Sequence, residues 1–472
     1  MPDRRSVCSI VVLVVVCSFG AIVDTEAGEN GGRGWRAGDW DPGSHRRRPR
    51  ARPVILSTDI AIGLIDTHGG KSLNPVVFSA THPYTFDTDV TPQDIDDGLA
   101  LAMASNLDAK GMVDLIGVIP TYGNASLPAE MLVARQIVRR LKRRYDIPIV
   151  PGATSPASPT LHPIPTWFDG SDVPVLGRAG SFGAACRNLG VRKMVKLVAA
   201  SREPVTILAI GPLTDVACLL NTAPKRVLGN IKEVIALASR LEGQRVQING
   251  LAVNDFNPRM DPIGAALLLG AKHAQQVKIR LMSFSLTGQT SQANDLIPFN
   301  AEVYPGPPIV TPVAQASFQW LLDAAAPRNA YWSGIFGTEE GPFDQYALVA
   351  MIRPDLFDCR EARAYILQCP FPAWSPDFPS VDGTPTESPY NAPNNPCDDH
   401  GPVNGSALSQ VPAQLLVTLD LEDDGPLVRG TPGIDGNVPP IEMPARGVTA
   451  CIDFADTEGR QEFQDILERF TW

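Results

Sequence analysis

Residues 87–104, DTDVTPQDIDDGLALAMA, place five aspartates directly ahead of an apolar run, with no lysine or arginine among them. A helix N-terminus favours one or two carboxylates, because its macrodipole and free N–H groups attract negative charge. Several neighbouring carboxylates repel and raise one another's pKa. A hard divalent cation would relieve this repulsion, and the lack of Cys or His nearby favours Ca²⁺ over a transition metal. These residues alone are compatible both with helix capping and with a Ca²⁺ site.

Three later stretches place polar side chains where apolar elements begin or end. Residues 207–217, ILAIGPLTDVA, predict a strand, a Gly-Pro turn and a helix, and residues 249–262, NGLAVNDFNPRMDP, bring together three asparagines and two aspartates. Residues 341–357, GPFDQYALVAMIRPDLF, set Asp344 at the start of an apolar helix. Each stretch taken alone is also what ordinary turns and helix caps contain.

The elements that must position these residues alternate between short apolar strands and longer helices. Strands are predicted at 54–59, 115–124, 147–153, 205–211, 231–238, 414–421 and 448–454. Helices are predicted at 127–145, at 191–201 and at the C-terminal end, in EFQDILERF. This order predicts an α/β fold, Rossmann-like, with a mostly parallel central sheet and helices on both faces. Ligands bind such sheets at the carboxyl ends of the strands.

Two stretches interrupt the alternation and are interpreted as loop insertions in one domain spanning residues 53–472. The first, about 60–93, separates the first strand from its helix by far more residues than such a connection needs. The second, about 370–412, is rich in proline through residue 402 and cannot be regular structure there.

The N-terminal residues predict a secreted protein. Residues 1–27 have two early arginines, an apolar core and small residues, which is typical of a signal peptide, although a membrane anchor is the alternative. Residues 28–52 form a basic Gly/Arg-rich linker or pro-region. Six cysteines follow, an even number that favours disulfides in a secreted chain without fixing their pairing. Asn404 begins a glycosylation sequon.

The composition narrows the classes of partner. Of 472 residues, 44% are hydrophobic and 19% are charged, as in an ordinary globular protein. The net charge of −11 argues against binding to nucleic acid through phosphate contacts. No stretch after the N-terminal one is long and apolar enough to span a membrane, so no membrane contact is expected after cleavage. A small-molecule substrate is expected, and a homo-oligomer is left open.

The order of these motifs resembles the inosine-uridine-preferring nucleoside hydrolases, Ca²⁺-dependent enzymes that cleave the N-glycosidic bond of ribonucleosides. Asp96-Asp97 in DIDDGLAL resembles the family's paired aspartate before a helix, and Gly123-Asn124 resembles its GN after the second strand. GPLTD at 211–215, DFN at 255–257 and FD at 343–344 are similar to the family's GPLTN, EFN and HD. The resemblance covers most of residues 53–472 outside the two insertions.

The resemblance implies one Ca²⁺ ion and a set of ribose contacts. The implied metal ligands are Asp59, Asp97, Asp344 and the backbone carbonyl of Ile210. The implied ribose contacts are Asp96, Asn124, Asn249, Asp255 and Asn257. Cleavage builds positive charge on the sugar, which carboxylates stabilise. A Ca²⁺-held water would attack directly, with inversion, while an aspartate that shares the ion takes its proton.

The sequence departs from the family pattern at three positions. The first insertion leaves two candidates for the first catalytic and metal-binding aspartate: Asp59, which ends the better strand, and its rival Asp89, which lies in the closer local match. Asp255 replaces a glutamate, which shortens the side chain by one methylene and bears on how the 5′-hydroxyl is held. Phe343 replaces a histidine implicated in protonating purine leaving groups, so purine cleavage by that route is in doubt.

Two alternatives therefore stand beside a secreted ribonucleoside hydrolase that releases ribose and free base for purine or pyrimidine salvage. One is a catalytically weak Ca²⁺- or sugar-binding protein on the same scaffold. The other is a hydrolase of another N-riboside, such as nicotinamide riboside. Tyr331 and Trp332 lie upstream of Phe343, where a base could stack, although core packing is the commoner role of such residues.

Overall fold

A computed structural model describes fifteen segments of the chain, and every structural statement below concerns these residues. They are 51–60, 78–79, 82–86, 96–124, 127–140, 146–156, 185–242, 244, 247–248, 251–252, 255–271, 274–292, 342–368, 413–421 and 446–470.

Thirteen strands occur in the described residues. They are β1 Arg52–Thr58, β2 Phe78–Ser79, β3 His82–Phe86, β4 Val113–Pro120, β5 Val205–Ala209, β6 Ile231–Leu237, β7 Arg240–Leu241, β8 Gln247–Ile248, β9 Leu251–Ala252, β10 Lys278–Met282, β11 Phe357–Gln368, β12 Ala413–Thr418 and β13 Arg446–Phe454. Nine of them form one sheet in the order β4-β1-β5-β6-β10-β13-β11-β12-β7, while β2-β3 and β8-β9 form separate two-stranded pairs.

The first six strands of the large sheet are parallel, from β4 through β1, β5, β6 and β10 to β13. The next strand, β11, pairs antiparallel with both of its neighbours, β13 and β12. The described helices are α1 Asp96–Ala109, α2 Leu127–Arg140, α3 Leu189–Ala200, α4 Thr214–Thr222, α5 Lys225–Leu228, α6 Phe256–Met260, α7 Pro262–Leu269, α8 Phe284–Gln292, α9 Gln345–Ile352 and α10 Thr457–Phe470.

Helices cover both faces of the sheet because its strands are apolar on both sides. Val54 and Leu56 belong to one buried cluster together with side chains of α1, α2, α9 and α10. Ile55, between them in sequence, belongs to a second cluster with side chains of α3, α4 and α7. Successive side chains of a strand point to opposite faces, so the two clusters are the two layers of the core. The predicted α/β class with a mostly parallel sheet is confirmed.

The predicted strand at 147–153 is wrong. This segment forms only a single bridge, between Ile149 and Val118, outside the named strands. Pro148 and Pro151 interrupt it, and proline has no N–H to donate to a ladder. The segment still follows β4, since Val150 N–H donates to the Val118 carbonyl at 3.0 Å.

Four of the six cysteines downstream of the N-terminal stretch form two disulfides, Cys186–Cys218 and Cys359–Cys451. Cys369 and Cys397 lie outside the described residues, as does Asn404. Across the described ranges, no helix is both long and apolar enough to cross a membrane.

Candidate active site and metal centre

Three buried carboxylates meet where two helices begin. Asp96 and Asp97 open α1, and Asp344 directly precedes α9, which packs against α1. Oxygen atoms of the three side chains all lie within 4.8 Å of one another. The helix N-termini favour negative charge, but they do not by themselves require three carboxylates to converge. This convergence is the central feature of the site.

Asp59 lies next to this group at the carboxyl end of β1, and it contacts Asp97 through its backbone. Its backbone N–H donates to Asp97 Oδ1 at 3.2 Å, and the hydroxyl of Thr58 donates to the same oxygen. Thr58 and Asp59 are both fully buried. The strand end and the helix start are therefore joined through a single carboxylate oxygen, which fixes the orientation of the Asp97 side chain.

Asn124 connects two of the predicted metal ligands. Its backbone N–H donates to Asp59 Oδ2 at 3.1 Å, and its side-chain Nδ2 donates to Asp97 Oδ2 at 3.2 Å. Asn124 follows β4, the strand next to β1, so it reaches the site from the same edge of the sheet. Asn124, the predicted ribose contact, thus lies beside Asp59 and Asp97 at this edge.

Two glycines allow the backbone to approach Asp59 closely. A Cβ atom added to Gly211 would lie 2.8 Å from both the backbone N and the Oδ1 of Asp59. A Cβ added to Gly123 would overlap with Asp59 Oδ2. Real Cβ atoms are not found so close to another heavy atom, so any side chain at either position would displace Asp59.

Asn257 links the ends of two central strands. Its Nδ2 donates to the Ile210 carbonyl at 2.8 Å, after β5, and to the Leu237 carbonyl at 3.1 Å, at the end of β6. A carbonyl oxygen has two lone pairs, so Ile210 can accept this hydrogen bond and still offer a lone pair to a cation. The predicted metal carbonyl and the predicted ribose contact are thus direct neighbours.

Asp255 lies at the start of α6 and is held by the turn after β6. The backbone N–H of Ser239 donates to Asp255 Oδ2. Burial raises the pKa of Asp255 well above its usual value, while this hydrogen bond and the charge of Arg240 act in the opposite direction. The side chain is therefore easier to protonate than an ordinary aspartate, although donors stabilise its charged form.

Phe343, the residue before Asp344, packs against Phe284, with ring centroids 6.1 Å apart. A phenyl ring has no proton to give to a leaving group, so the departure seen in the sequence is also a departure in chemistry. Tyr331 and Trp332 lie outside the described residues.

The donor set fits a hard cation. The candidate ligands offer only oxygen, from buried carboxylates and one carbonyl, and the cluster contains no sulfur or imidazole donor from the part of the chain that the structure describes. Ca²⁺ takes six to eight such ligands, including waters. Oxygens of Asp97 and Asp344 lie within 4.8 Å of each other, and the backbone N–H of Asp59 donates to Asp97.

Two predicted site residues, Asp89 and Asn249, lie outside the described part of the chain. Two residues of the site were missed by sequence reasoning, Thr58 and Ser239. Thr58 could have been found, because it is a polar residue next to Asp59 at the end of a strand. Ser239 has no local signal, since its contact with Asp255 depends on how the chain folds back.

A second group of buried aspartates lies beside the first. Asp215 accepts from Ala153 N–H at 2.9 Å and from Asn188 Nδ2 at 2.6 Å. Asp261 accepts from the Thr214 hydroxyl at 2.5 Å and from Gly264 N–H at 2.9 Å. The Tyr122 hydroxyl is 2.9 Å from that of Thr214. These carboxylates are satisfied by protein donors.

A mostly parallel sheet with a buried carboxylate cluster at the carboxyl ends of its strands has the arrangement in which α/β proteins bind ligands. The particular family follows from the sequence. The model of the inosine-uridine preferring nucleoside hydrolase family matches residues 84–386, and the chain belongs to this family. The predicted family and the predicted class of enzyme, a hydrolase acting on N-glycosyl bonds, are confirmed. The matched range contains Asp89 but not Asp59.

The individual proteins that match this chain have low sequence identity to it. An uncharacterized protein of Schizosaccharomyces pombe is 27% identical over 57% of this chain and 81% of its own length. The pyrimidine-specific ribonucleoside hydrolase RihA of an Enterobacter species is 32% identical over 37% of this chain, which spans about half (52%) of that relative. A solved plant nucleoside hydrolase, PpNRh1, superposes with a TM-score of 0.50 at 14% identity, over 90% of this chain and 99% of its own, and supports the fold.

Proposed function

We propose that this protein hydrolyses the N-glycosidic bond of ribonucleosides to ribose and a free base. The observation that carries the proposal is the convergence of Asp96, Asp97 and Asp344, with Asp59 in contact with Asp97. Buried carboxylates at a sheet edge stabilise the positive charge that develops on a sugar when its C–N bond breaks. Family membership supplies the reaction class, and the cluster supplies the electrostatic means.

The ribose would be held by short carboxylates and amides that surround the cluster. Asp96 is buried beside Asp97, and Asn124 contacts both Asp59 and Asp97, so both lie where sugar hydroxyls would approach. Asp255 and Asn257 flank the ends of β5 and β6 on the other side. Asn249 is kept as a further ribose contact on the resemblance alone.

The metal would be Ca²⁺, held by Asp59, Asp97, Asp344 and the carbonyl of Ile210, a set of oxygen donors that suits a hard cation. When bound, the ion would supply positive charge that orients the attacking water and increases its acidity. Asp59 would take the proton of that water on its carboxylate, as general base. Attack by water from one side of the sugar inverts the anomeric carbon.

The leaving base would not be protonated by the residue before Asp344, since Phe343 packs on Phe284 and offers no proton. A nucleoside whose base leaves without a proton from residue 343 is expected to be the better substrate. A screen of base release from purine and pyrimidine nucleosides decides which bases those are.

The direct test is release of ribose from a panel of ribonucleosides, with and without a chelator. We expect ribose release that stops on chelation and returns when Ca²⁺ is added. If no nucleoside in the panel releases ribose while Ca²⁺ still binds, the hydrolase proposal is wrong.

Calcium itself is tested by titration calorimetry, independently of turnover. Asp97→Asn should weaken Ca²⁺ binding more than about 100-fold, because even residues outside the ligand shell cost roughly 10- to 100-fold when removed. Asp215→Asn is the matched control, a buried aspartate satisfied by protein donors, and should bind Ca²⁺ as the wild type does. Equal binding by Asp97→Asn and wild type would remove Asp97 from the metal site.

Phe343 also favours two further candidates. A weakly active Ca²⁺- or sugar-binding protein would bind Ca²⁺ and ribose without releasing base. A hydrolase of another N-riboside would release a base that needs no protonation, as nicotinamide does because it leaves neutral from a cationic riboside. Adding nicotinamide riboside to the panel separates all three functions.

Secretion is proposed from the N-terminal pattern, and the two disulfides support it because such bonds persist in oxidising compartments. N-terminal sequencing of the protein recovered from the medium would test cleavage near residue 27. Retention of the protein in the membrane fraction would favour the anchored alternative. Light scattering would determine whether identical chains assemble.

A further inference from the structure

We propose that Ser239 is an additional substrate-positioning residue, whose hydroxyl binds the same sugar hydroxyl that Asp255 contacts. The proposal rests on the proposed nucleoside hydrolysis and goes beyond it. Ser239 follows β6 at the carboxyl edge of the sheet, where neither sequence pattern nor family motif had marked it.

The first observation is the backbone of Ser239. Its φ is 90°, and no other non-glycine residue in the described ranges has a positive φ. Glycine takes this conformation freely, whereas a side chain makes it costly. Residues in such conformations persist only where the surroundings hold them, and they concentrate at functional sites.

The surroundings of Ser239 do hold its backbone on both sides. Its N–H donates to Asp255 Oδ2, and its carbonyl accepts from Phe284 N–H at 2.7 Å. Phe284 in turn packs against Phe343, the neighbour of Asp344. Ser239 therefore lies between the predicted ribose contact and the aromatic pair that adjoins the metal cluster.

The second observation is the side chain. Ser239 is completely buried, and none of the described residues forms a hydrogen bond with its Oγ. A buried hydroxyl without a partner is unfavourable. Three covalent bonds separate Oγ from the backbone N, so the hydroxyl lies within roughly 4 Å of the N–H that binds Asp255. The hydroxyl and the Asp255 carboxylate therefore both lie close to this one N–H, so that a single ligand group could contact the two.

Both unfavourable features would disappear in a glycine at position 239, yet the chain carries serine. A hydroxyl that binds substrate explains both. It predicts that Ser239→Gly is more stable than the wild type but less active, whereas a serine with only a structural role would gain stability without loss of activity.

The experiment compares wild type, Ser239→Ala, Ser239→Gly and Asp255→Ala on four substrates. These are the ribonucleoside that wild type cleaves best and its 2′-, 3′- and 5′-deoxy analogues. Ser105→Ala is the matched control, because Ser105 is buried in α1 and its Oγ has no hydrogen-bond partner among the described residues. It lies nine positions from Asp96, about 13 Å along the helix.

We expect Ser239→Ala and Ser239→Gly to lower kcat/KM for the ribonucleoside about 10-fold, the usual effect of one neutral hydrogen bond. The loss should vanish with one deoxy analogue only, the same one for which Asp255→Ala shows no loss. The melting temperature of Ser239→Gly should rise. The control should match wild type on all four substrates.

Equal losses on all four substrates, or no loss on any, would overturn the role of Ser239. Because Ser239→Gly removes the unfavourable φ, misfolding of Ser239→Ala would leave the comparison intact. If wild type releases no base from any ribonucleoside, the proposed function fails and this role fails with it. If wild type is active but the losses are uniform, only the role of Ser239 fails.

Discussion

Two groups of buried aspartates lie at the carboxyl edge of the sheet, and they differ in how many carboxylates converge on one point. Asp215 and Asp261 are surrounded by donors of the protein, each accepting at least two hydrogen bonds from N–H or hydroxyl groups. Asp97 also accepts from Thr58, Asp59 and Asn124, but its group differs because oxygens of Asp96, Asp97 and Asp344 lie within 4.8 Å of one another.

The difference separates structural carboxylates from candidate functional ones. The hydrogen bonds to Asp215 have a structural role. They connect Ala153 with Asn188, the N-cap residue of α3. Mutual approach of carboxylates costs free energy unless a positive charge comes from outside. Burial or acidity alone would not have told the two groups apart, since both are buried and both begin helices.

The sharpest way to test this comparison is to neutralise Asp59, which touches the converging group. Asp59→Asn should lower kcat/KM about 10⁴-fold, because the residue is proposed both to bind the metal and to act as general base. Steady-state release of base measures the loss.

The control for Asp59→Asn is the same substitution at Asp89, the rival candidate for the first aspartate. Asp89→Asn should leave kcat/KM unchanged, since Asp59 already occupies the position beside Asp97. The reverse result, with Asp89→Asn inactive and Asp59→Asn active, would assign the first aspartate to Asp89, in agreement with the range that the family model covers.

A smaller effect, on stability only, is expected from the disulfide beside the satisfied group. Cys186 lies two residues before Asn188, and the bond closes a loop of 32 residues. Replacing both cysteines, Cys186→Ala with Cys218→Ala, should lower the free energy of unfolding by about 3.7 kcal/mol, from the chain-entropy relation. Urea unfolding measures this change. A fall in kcat/KM as large as that of Asp59→Asn would contradict the separation of the two groups.

The smallest effect concerns pH. Burial raises the pKa of Asp215, so the folded state holds its proton to a higher pH than the unfolded state does. Its stabilising contribution is complete below the unfolded value of 3.8 and declines as pH rises through the folded pKa. Asp215→Asn should abolish this decline, whose slope is at most about 1.4 kcal/mol per pH unit.

Urea unfolding of wild type and Asp215→Asn across a pH series gives the difference directly. Plotted against pH, the two free energies of unfolding should run parallel below about 3.8 and separate as the pH rises above it, because only wild type loses the contribution of Asp215. The kcat/KM of the variant should stay close to that of wild type. Parallel stability curves at every pH would show that Asp215 titrates alike in both states.

Much of the fold could be read from local pattern. Strands of buried β-branched residues and helices that begin at Asp96, Thr214 and Asp344 or its neighbour occur where they were expected. The prediction of a strand at 147–153 was wrong because it gave more weight to the apolar residues than to the two prolines, which cannot donate to a ladder. The long strand β11, Phe357–Gln368, was not predicted, since FDCREARAYILQ alternates charge with apolar residues in a way that also suits a helix or loop.

The site was less accessible to such reasoning. Motif order assigned Asp97 to the metal site and gave Asp215 no role, but it left Asp89 as a rival to Asp59. Ser239 was missed altogether, because a positive φ and a buried hydroxyl are properties of its surroundings rather than of the sequence around it.

The sequence by itself determined the class of fold, the family and the identity of most candidate ligands, because periodicity, turn residues and short motifs are local. Only the tertiary structure decided which of those residues meet. Asn124 reaches Asp59 across 65 positions of chain, and Thr58 reaches Asp97 across 39. Those contacts depend on the order and register of strands packed between two helical layers, which no local preference encodes, and that packing is what brings three carboxylates together.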